Sequence, residues 1–506
     1  MQDVTIASLL SRFSPLAHHK PWPRYEVDAE TWVRIGKALA AGEGDLLALW
    51  GEPKAVHMAL RVASAKPCVI SLAVAKRQFP SIGIHHLPAI RLERTIRDLY
   101  GLRPTGAQDE RPWLDHGVWG VSAPLGPRTR TEPAVATGYA FRPVHGEGLH
   151  QIPVGPVHAG IIEPGHFRFT ANGETVARLE ERLGYVHKGA ESLLSGAAIE
   201  KAGRIVARLS GDSTVALSFA FARAVEAALD IVVPTRAQVL RGVMAELERI
   251  ANHFGDVGAI CNDAAFALIH AHCGIFRESV LAATDQAFGH RLMMDVIVPG
   301  GVARDIEADG AGALIAMLDN VAPGFSEIVR LYDDTPSLQD RTCATGVVSR
   351  ELVRKWAAGG HVGRASGRNF DSRRDLAYAP YDGVAFDVPV FEAGDVDARV
   401  WVRIREVEAS MRMLRTWLAA LPGGPLRTEM PTATDTHEGI AVVEAFRGDV
   451  LVWIRLAADG TVARCHVRDP SWFQWPLLEA AIENNIVADF PLCNKSFNCS
   501  YSGHDL

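Results

Sequence analysis

The chain has 506 residues, of which 48% are apolar and 22% charged, and its formal net charge is −7. This length predicts two or three domains, and the composition is that of a globular protein with a large core. The acidic balance and the lack of a strongly basic face exclude nucleic acid as an expected partner. Because no run approaches ~18 consecutive apolar residues, the sequence predicts no bilayer-spanning helix.

The cysteines favour a reducing compartment. Their number is odd and they are scattered, which does not suit a disulfide framework. The start of the chain has Asp3 and no cationic segment, so we expect no secretory signal and a cytoplasmic protein. Cys493 and Cys499 are six residues apart, fit no standard metal spacing, and are expected to be free buried thiols. The seven cysteines are Cys68, Cys261, Cys273, Cys343, Cys465, Cys493 and Cys499.

The first 119 residues predict a small α/β domain. Thr31–Ala41 has apolar residues at helical spacing, and Leu46–Trp50 and Cys68–Val74 are short apolar runs bounded by turn residues, as in buried strands. Residues 120–146 are rich in Pro, Gly, Thr and Arg without a clear period, so they predict a linker. The second domain is then expected at residues 147–506.

This second domain predicts an α+β fold with a core of long helices. Leu240–Phe254 carries an apolar stripe at helical spacing. Val400–Leu418 repeats apolar residues at steps of four and three, so that helix presents a narrow seam to a neighbour, and we read it as the mark of a chain that works with others. Three strand patterns follow and predict a β-meander, with turns at Arg447–Asp449 and Asp459–Gly460. The strands are expected at Ile440–Glu444, Val450–Arg455 and Val462–Val467.

A motif in the first domain resembles a known respiratory subunit. Leu92–Gly101 (LERTIRDLYG) is followed by Asp109 and by Arg111–Leu114 (RPWL). This pattern is similar to the signature of the C-type (30 kDa) subunit of NADH:quinone oxidoreductase, complex I, which packs on the large subunit and holds no cofactor. On the pattern alone, a solvated amphipathic helix remains the alternative.

The second domain resembles the D-type (49 kDa) subunit of complex I, and more closely the large subunit of the hydrogenase-4 and formate-hydrogenlyase group. Each motif is weak alone, but all keep the family's order, so the resemblance covers most of residues 75–506. The matching stretches are Pro153–His158, Glu163–His166, Leu183–Gly189, Glu246–His253, Pro299–Val302, Gly363–Gly367 and Glu444–Gly448.

The resemblance also shows what is missing. A nickel–iron centre is held in this family by four thiolates from two Cys-x-x-Cys pairs. Both positions of the first pair, Ser210 and Ser213, are serine here, and of the second pair Ser496 and Cys499 only the last is cysteine. Soft metals select thiolates, and a neutral hydroxyl is a poor substitute. We therefore expect no metal in this chain and no hydrogenase activity by it alone.

Complex I uses the corresponding cavity for a quinone headgroup. His158 matches the histidine of its Gly-Pro-x-His element, but Ala159–Ile162 lacks the second histidine, and no tyrosine lies between Leu209 and Leu217. A quinone stays a candidate ligand without its usual proton donors, and His158 suits either a pocket residue or a turn histidine bonded to backbone. The cavity candidates are His158, Ser210, Ser213, Ser496 and Cys499.

Two further sets of charged residues are singled out. Arg364 and Arg447 resemble family arginines near the iron–sulfur cluster of the neighbouring subunit, and fixing a loop is the alternative. Glu246, Arg249 and His253 share one helix face. We interpret this trio as a subunit-interface salt bridge, with a buried polar network as the alternative.

The resemblance implies the fused large subunit of a hydrogenase-4-like or complex I-like oxidoreductase, peripheral on the inner membrane through its partners. Those partners are a small iron–sulfur subunit (B-type), a ferredoxin-like iron–sulfur subunit and antiporter-like membrane subunits. The chain forms the cavity beside the partner's iron–sulfur cluster and couples electron transfer to ion translocation, with no cofactor of its own. It contains no Gly-x-Gly-x-x-Gly after a strand, so NAD binding by this chain is not expected. A quinone-reducing NADH dehydrogenase-type subunit and a non-catalytic assembly or coupling scaffold are the alternatives.

Overall fold

The computed structural model describes residues 5–62, 66–130, 138–160, 162–307, 309–431 and 435–506. Over these ranges the chain combines an N-terminal four-stranded sheet, a three-stranded sheet, a core of long helices and a four-stranded sheet close to the C-terminus. This mixture is the α+β architecture that the sequence predicts.

The N-terminal part is an α/β unit. Its elements are α1 (Ile6–Leu10), β1 (His19–Lys20), β2 (Arg24–Val27), α2 (Ala29–Ala40), β3 (Gly44–Glu52), β4 (Ala55–Val62), β5 (Cys68–Ala73), β6 (Gln78–Pro80), α3 (Ala89–Tyr100) and β7 (Arg103–Thr105). Four strands form a sheet in the order β2-β5-β4-β3, in which only the β2–β5 pair is parallel. Gly101, at φ 62°, ends α3 in the left-handed conformation that glycine adopts most easily.

The acidic residue of the α3 motif holds a turn in place. The Glu93 side chain is 2% exposed. It accepts hydrogen bonds from the Ser81 hydroxyl at 2.7 Å and from the backbone N–H groups of Ile82 at 2.5 Å and Gly83 at 3.2 Å. The alternative of a solvated helix is therefore wrong, because this face of α3 is buried against the turn.

The next two charged residues of the motif hold the loop that follows it. Arg94 Nε donates to the carbonyl oxygen of Arg111 at 2.8 Å. Asp98 Oδ2 accepts from the backbone N–H groups of Trp113 at 2.6 Å and Leu114 at 2.9 Å. The two halves of the motif are thus joined by hydrogen bonds between helix side chains and loop backbone.

The predicted linker contains a short hairpin. Its residues 131–137 lie outside the described residues, and the remainder of 120–146 is mostly exposed. Tyr139 is an exception because its hydroxyl accepts a hydrogen bond from Arg94 Nη2 at 2.7 Å. The antiparallel pair β8–β9 lies in this stretch, and β10, β11 and β12 form the antiparallel sheet that follows it. The strands are β8 (Val121–Ser122), β9 (Thr129–Arg130), β10 (Leu149–Val154), β11 (His166–Asn172) and β12 (Thr175–Arg182).

Long helices form the core of the second part. They are α4 (Ala190–Leu194), α5 (Ile199–Val206), α6 (Thr214–Leu229), α7 (Thr235–Asp263), α8 (Ala267–Phe288), α9 (Gly310–Asp333), α10 (Pro336–Thr342), α11 (Arg350–Trp356), α12 (Gly360–Ala365), α13 (Ser372–Asp375) and α14 (Val396–Ala419), with the short strands β13 (Ile297–Val298) and β14 (Gly301–Val302) before α9. Helix α7 packs on both α8 and α14. The apolar stripes predicted on α7 and α14 are both buried in this core.

The seam on α14 does not present a surface to another subunit. Val400, Val407 and Leu414 are fully buried within the chain, and Ile404 is 1% exposed. Our reading of this seam as the mark of a partner is therefore wrong. The spacing was correct for helix–helix packing, but α7 of the same chain is the helix that it packs against.

The predicted β-meander closes the fold. Its strands are β15 (His437–Ala445), β16 (Gly448–Leu456) and β17 (Val462–Arg468), and the helices α15 (Ser471–Ala481), α16 (Phe490–Phe497) and α17 (Tyr501–Asp505) follow. The sheet order is β1-β15-β16-β17, with β1 from the N-terminal part parallel to β15. The meander therefore receives a strand from the far end of the chain.

Candidate functional site

The first half of the site is the turn between α5 and α6. It carries Ser210 and Ser213, the two positions expected to replace the first thiolate pair, on either side of a single 3-10 turn. The Ser210 hydroxyl donates to Asp212 Oδ1 at 2.8 Å, and Ser213 Oγ accepts from Arg447 Nη1 at 3.2 Å. Both serines are buried, whereas the Asp212 side chain is 39% exposed.

The second half is the end of α16 and the residues after it. Ser496 is fully buried, and its hydroxyl donates to the carbonyl oxygen of Cys493 at 2.6 Å while accepting from Arg399 Nε at 2.9 Å. Cys499 is 6% exposed, with its Sγ 4.0 Å from Gln474 Oε1. Burial raises the pKa of the Cys499 thiol well above its ordinary value, so the sulfur stays protonated.

The fold brings these two segments together. Ser210 Oγ and Ser500 Oγ lie 2.9 Å apart across a separation of 290 residues. Arg447, in the β15–β16 turn, donates from Nη1 to Asp212 Oδ1 at 2.8 Å and from Nε to the carbonyl oxygen of Asn498. One guanidinium therefore links both segments.

Arg447 and Asp212 set each other's charge. Burial raises the pKa of Asp212, but the charge and hydrogen bonds of Arg447 outweigh it and lower that pKa to about 2. Burial lowers the pKa of Arg447, and Asp212 reverses this effect, so its pKa stays above the ordinary arginine value. Both groups are charged at neutral pH.

The candidate His158 lies beside this centre rather than in it. Its Nε2 is 2.8 Å from the carbonyl oxygen of Gly165, within its own loop. That loop reaches α17, because Glu163 Oε2 accepts from the backbone N–H of Ser502 at 2.9 Å. A turn histidine bonded to backbone describes this arrangement better than a pocket residue.

Arg364 is held inside the chain. It is fully buried, donates to Glu444 Oε1 at 2.8 Å and to the carbonyl oxygen of Phe370 at 3.0 Å, and forms an ion pair with Glu406. Burial lowers the pKa of Arg364, but the two glutamates raise it to a net value above that of an ordinary arginine. These contacts match the loop-fixing alternative for this residue.

The trio on α7 is part of the same interior network. Glu246 and His253 are fully buried and Arg249 is 1% exposed. Arg249 Nε lies 3.2 Å from Glu246 Oε2, and His253 Nε2 lies 2.8 Å from Glu406 Oε2 on α14. The interpretation as a subunit-interface salt bridge is wrong, and the alternative of a buried polar network describes the structure, because α14 covers this face of α7.

Several site residues were missed from the sequence. Asp212 lies between two singled-out positions and Ser500 follows Cys499, so adjacency was the available signal. Glu248, inside the quoted Glu246–His253 motif, accepts backbone hydrogen bonds at the start of α6. For Arg399, which holds Ser496, the sequence carried no signal.

The residues at the four thiolate positions do not fit a nickel–iron centre. Three are hydroxyls already engaged in hydrogen bonds within the chain, and the fourth is a protonated thiol. Thiolates are the ligands that such metals select. Among the described residues, no group of three or more His, Cys, Asp and Glu side chains is placed to hold a metal ion.

A long-helix core whose C-terminal segment returns to a turn between two earlier helices defines the class as a hydrogenase-type large subunit. Comparison with known proteins identifies the family. Residues 268–438 match the family described as the 49 Kd subunit of the respiratory-chain NADH dehydrogenase. The chain belongs to this family of complex I 49 kDa subunits and hydrogenase large subunits.

Individual relatives cover more of the chain. It is 31% identical over 463 residues to hydrogenase-4 component G of Escherichia coli (strain K12), a match that covers 89% of this chain and 80% of the relative. It is 33% identical over 343 residues to the D-type subunit of NADH-quinone oxidoreductase from Dehalococcoides mccartyi (strain ATCC BAA-2266 / KCTC 15142 / 195), covering 66% and 92%. Both kinds of large subunit named by the sequence resemblance are thus confirmed as relatives.

A solved structure shares the fold. A chain of the membrane-bound sulfane sulfur reductase, an archaeal respiratory membrane complex, superposes with a TM-score of 0.67 at 22% identity, covering 71% of this chain and 99% of that one. Within the part that the structure describes, no single helix is long and apolar enough to cross a bilayer. The helical pair Ile199–Val206 and Gly211–Leu229, bent by 115°, passes the length and composition test only jointly.

Proposed function

We propose that this chain is the cavity-forming large subunit of a membrane-associated oxidoreductase complex and works without a nickel–iron centre. The observation that carries the proposal is the link between residues 210–213 and 496–500 through Ser210, Ser500 and Arg447. The family's convergence of two distant segments is kept, while hydroxyls and a protonated thiol stand at its thiolate positions.

Electrons reach this site from an iron–sulfur cluster in a partner subunit. Asp212 is 39% exposed, so the Asp212–Arg447 pair is accessible to an acceptor lying beside the chain. Arg447 supplies a fixed positive charge there, and preorganised charge stabilises the negative charge that develops when an acceptor is reduced. The role of the chain is to position that acceptor and to couple its reduction to ion movement in the membrane subunits.

The N-terminal unit is the equivalent of the 30 kDa subunit of complex I. The α3 motif and its loop support this assignment. The lengths of the matches support it too, because 89% of the chain aligns with component G and 66% with the D-type relative. The assembly partners are those implied for the family: a small B-type iron–sulfur subunit, a ferredoxin-like subunit and antiporter-like membrane subunits. They place this chain peripherally on the membrane.

Purification of the intact assembly tests the proposal. A tagged chain solubilised in mild detergent is expected to bring iron–sulfur and membrane subunits with it, to contain iron but no stoichiometric nickel, and to evolve no hydrogen. About one nickel per chain, or an active monomer without partners, would contradict it.

The same assembly distinguishes a redox cavity from a scaffold. We would reduce the partner's clusters with dithionite and follow their reoxidation by a quinone analogue or by polysulfide. Arg447→Gln should slow reoxidation at least tenfold, because the fixed charge is lost. Arg208→Gln is the matched control, since Arg208 is 45% exposed and pairs with Asp295 on the surface. Equal rates in both variants would favour the scaffold.

A further inference from the structure

A small cavity lies beside the Asp212–Arg447 pair, between the 211–213 turn, α7 and α8. Its volume is about 90 Å³, and its polar lining includes Asp212, Glu248 and Asn252. Each water molecule in a liquid takes about 30 Å³, so the cavity has room for roughly three waters. Arg291 lines its outer side, where this residue is 51% exposed and paired with Glu278.

Glu248 is the buried acid of this cavity. Its carboxylate oxygens accept from the backbone N–H groups of Val215 at 2.7 Å and Ala216 at 3.1 Å, at the N-terminus of α6. Asn252 donates from Nδ2 to the carbonyl oxygens of both Asp212 and Glu248, each at 2.9 Å, and so fixes the turn against α7. Glu248 is 7% exposed.

The surroundings favour the neutral acid. Burial raises the pKa of Glu248 to about 8, and the charge of Asp212 on the adjacent turn raises it further. Arg249 on the same helix lowers it, but this guanidinium is committed to Glu246 and to Glu406. Arg277 from α8 and Arg291 line the opposite side of the cavity.

The hydrogen-bond count points into the cavity. A protonated carboxyl group has one O–H to donate. In both hydrogen bonds described for Glu248 the carboxyl accepts from backbone. Water in the cavity is the acceptor that suits this O–H, and the same water reaches Asp212.

We propose that Glu248 is the proton donor of the candidate site and exchanges its proton with solvent through this cavity. When an acceptor at the Asp212–Arg447 pair takes an electron from the partner's reduced iron–sulfur cluster, the Glu248 O–H gives its proton through the cavity water to that acceptor. The carboxylate left behind is held by the two N–H groups of α6, and it recovers a proton from solvent past Arg291. This inference rests on the proposed function for its acceptor.

Infrared spectroscopy of the intact complex tests the acid itself. The wild type should show a carboxylic-acid C=O band that is lost as the pH rises through about 8, and D2O should shift this band within minutes. Glu248→Gln should lack it, and Glu278→Gln, which removes an exposed carboxylate on α8, should keep it. A wild-type spectrum without the band, or one that ignores D2O, would overturn the proposal, whether or not the complex transfers electrons.

The rate of cluster reoxidation tests the role of that proton. Gln resembles the neutral acid in shape but releases no proton, so Glu248→Gln should reoxidise the clusters at least tenfold more slowly. It should also lose the fall in rate that the wild type shows above pH 8. Glu278→Gln should match the wild type. An unchanged rate and pH profile in a folded Glu248→Gln complex would reduce Glu248 to a helix cap and overturn the proposal.

Discussion

Arg447 shows how a single side chain can hold two distant segments together. Its guanidinium is 4% exposed and meets Asp212, Ser213 and the carbonyl oxygen of Asn498. The fork of donors on arginine suits such a junction, because several acceptors from different segments can be served in one plane. The charge of Asp212 offsets the cost of burying the cation.

Removing that counter-charge should destabilise the fold. Asp212→Asn leaves Arg447 buried without an anion, and we expect a loss of about 2 kcal/mol in the free energy of unfolding, less than for a fully buried pair because Asp212 is partly exposed. Since Arg447 lowers the pKa of Asp212 to about 2, the contribution is present above the unfolded pKa near 4 and is lost as the pH falls towards 2. Thermal unfolding of both proteins from pH 3 to 7 measures it.

Asp295→Asn is the matched control. It removes an exposed carboxylate, 39% accessible, from its pair with Arg208, and exposed pairs are worth less than about 1 kcal/mol. Equal effects of the two substitutions, or a difference that does not shrink in acid, would contradict a central role for the Asp212–Arg447 pair.

Motif order was sufficient to name residues at the site but not their contacts. Ser210, Ser213, Ser496 and Cys499 follow from their positions in the sequence, and the structure places their two segments side by side. The bond from Ser210 goes instead to Ser500. Such a choice depends on how the chain returns after hundreds of residues, and a local pattern contains no such information.

At the scale of elements, helix periods were readable and helix partners were not. The stripes on α7 and α14 predicted both helices, but the charged face of α7 suggested a subunit interface because charged residues are rarely buried. The structure buries Glu246, Arg249 and Glu406 together, each paired within the chain. A buried ion pair between two helices of one chain has the same sequence pattern as one between subunits.

The contact between α3 and the turn before it gives a prediction about pH. Burial raises the pKa of Glu93 to about 7. Because the folded pKa lies above the unfolded value near 4.5, the folded protein binds the proton more tightly, and stability falls as the pH rises from about 4.5 to 7, by up to about 3 kcal/mol. Glu93→Gln does not titrate, so its unfolding midpoint should depend less on pH in this window.

Glu30→Gln serves as the comparison for this measurement. Glu30 lies on α2 with its side chain 76% exposed, and its substitution should leave the pH dependence of the wild type intact. A Glu93→Gln protein with the full wild-type slope would mean that other buried acids control stability in this range.

At the scale of the whole molecule, the N-terminal unit is joined to the C-terminal sheet. Strand β1 pairs with β15, the rings of Trp50 and Trp453 lie 5.4 Å apart, and Arg468 Nε donates to the carbonyl oxygen of Leu47 at 2.7 Å. The boundaries at residues 119 and 147 remain predictions. A break in composition shows where a chain is exposed, but it does not show which surfaces on either side of the break meet.

Limited proteolysis examines this arrangement. Cleavage is expected first within residues 120–146, because most of the described part of that stretch is exposed. The two fragments should then co-elute in gel filtration, since β1–β15 pairing and the Trp50–Trp453 contact do not depend on an intact linker. Cleavage of the α7 helix at the same rate would argue against an exposed linker, and separate elution of the fragments would argue against a stable junction.

The 290-residue separation of Ser210 and Ser500 also has a consequence during translation. Ribosomes add about 5 to 20 residues per second, so roughly 15 to 60 seconds pass between the synthesis of the two positions. Throughout that interval the turn at Asp212 has neither Arg447 nor the α16 segment beside it. A ribosome that stalls between them releases a chain with its helices present and its site unformed.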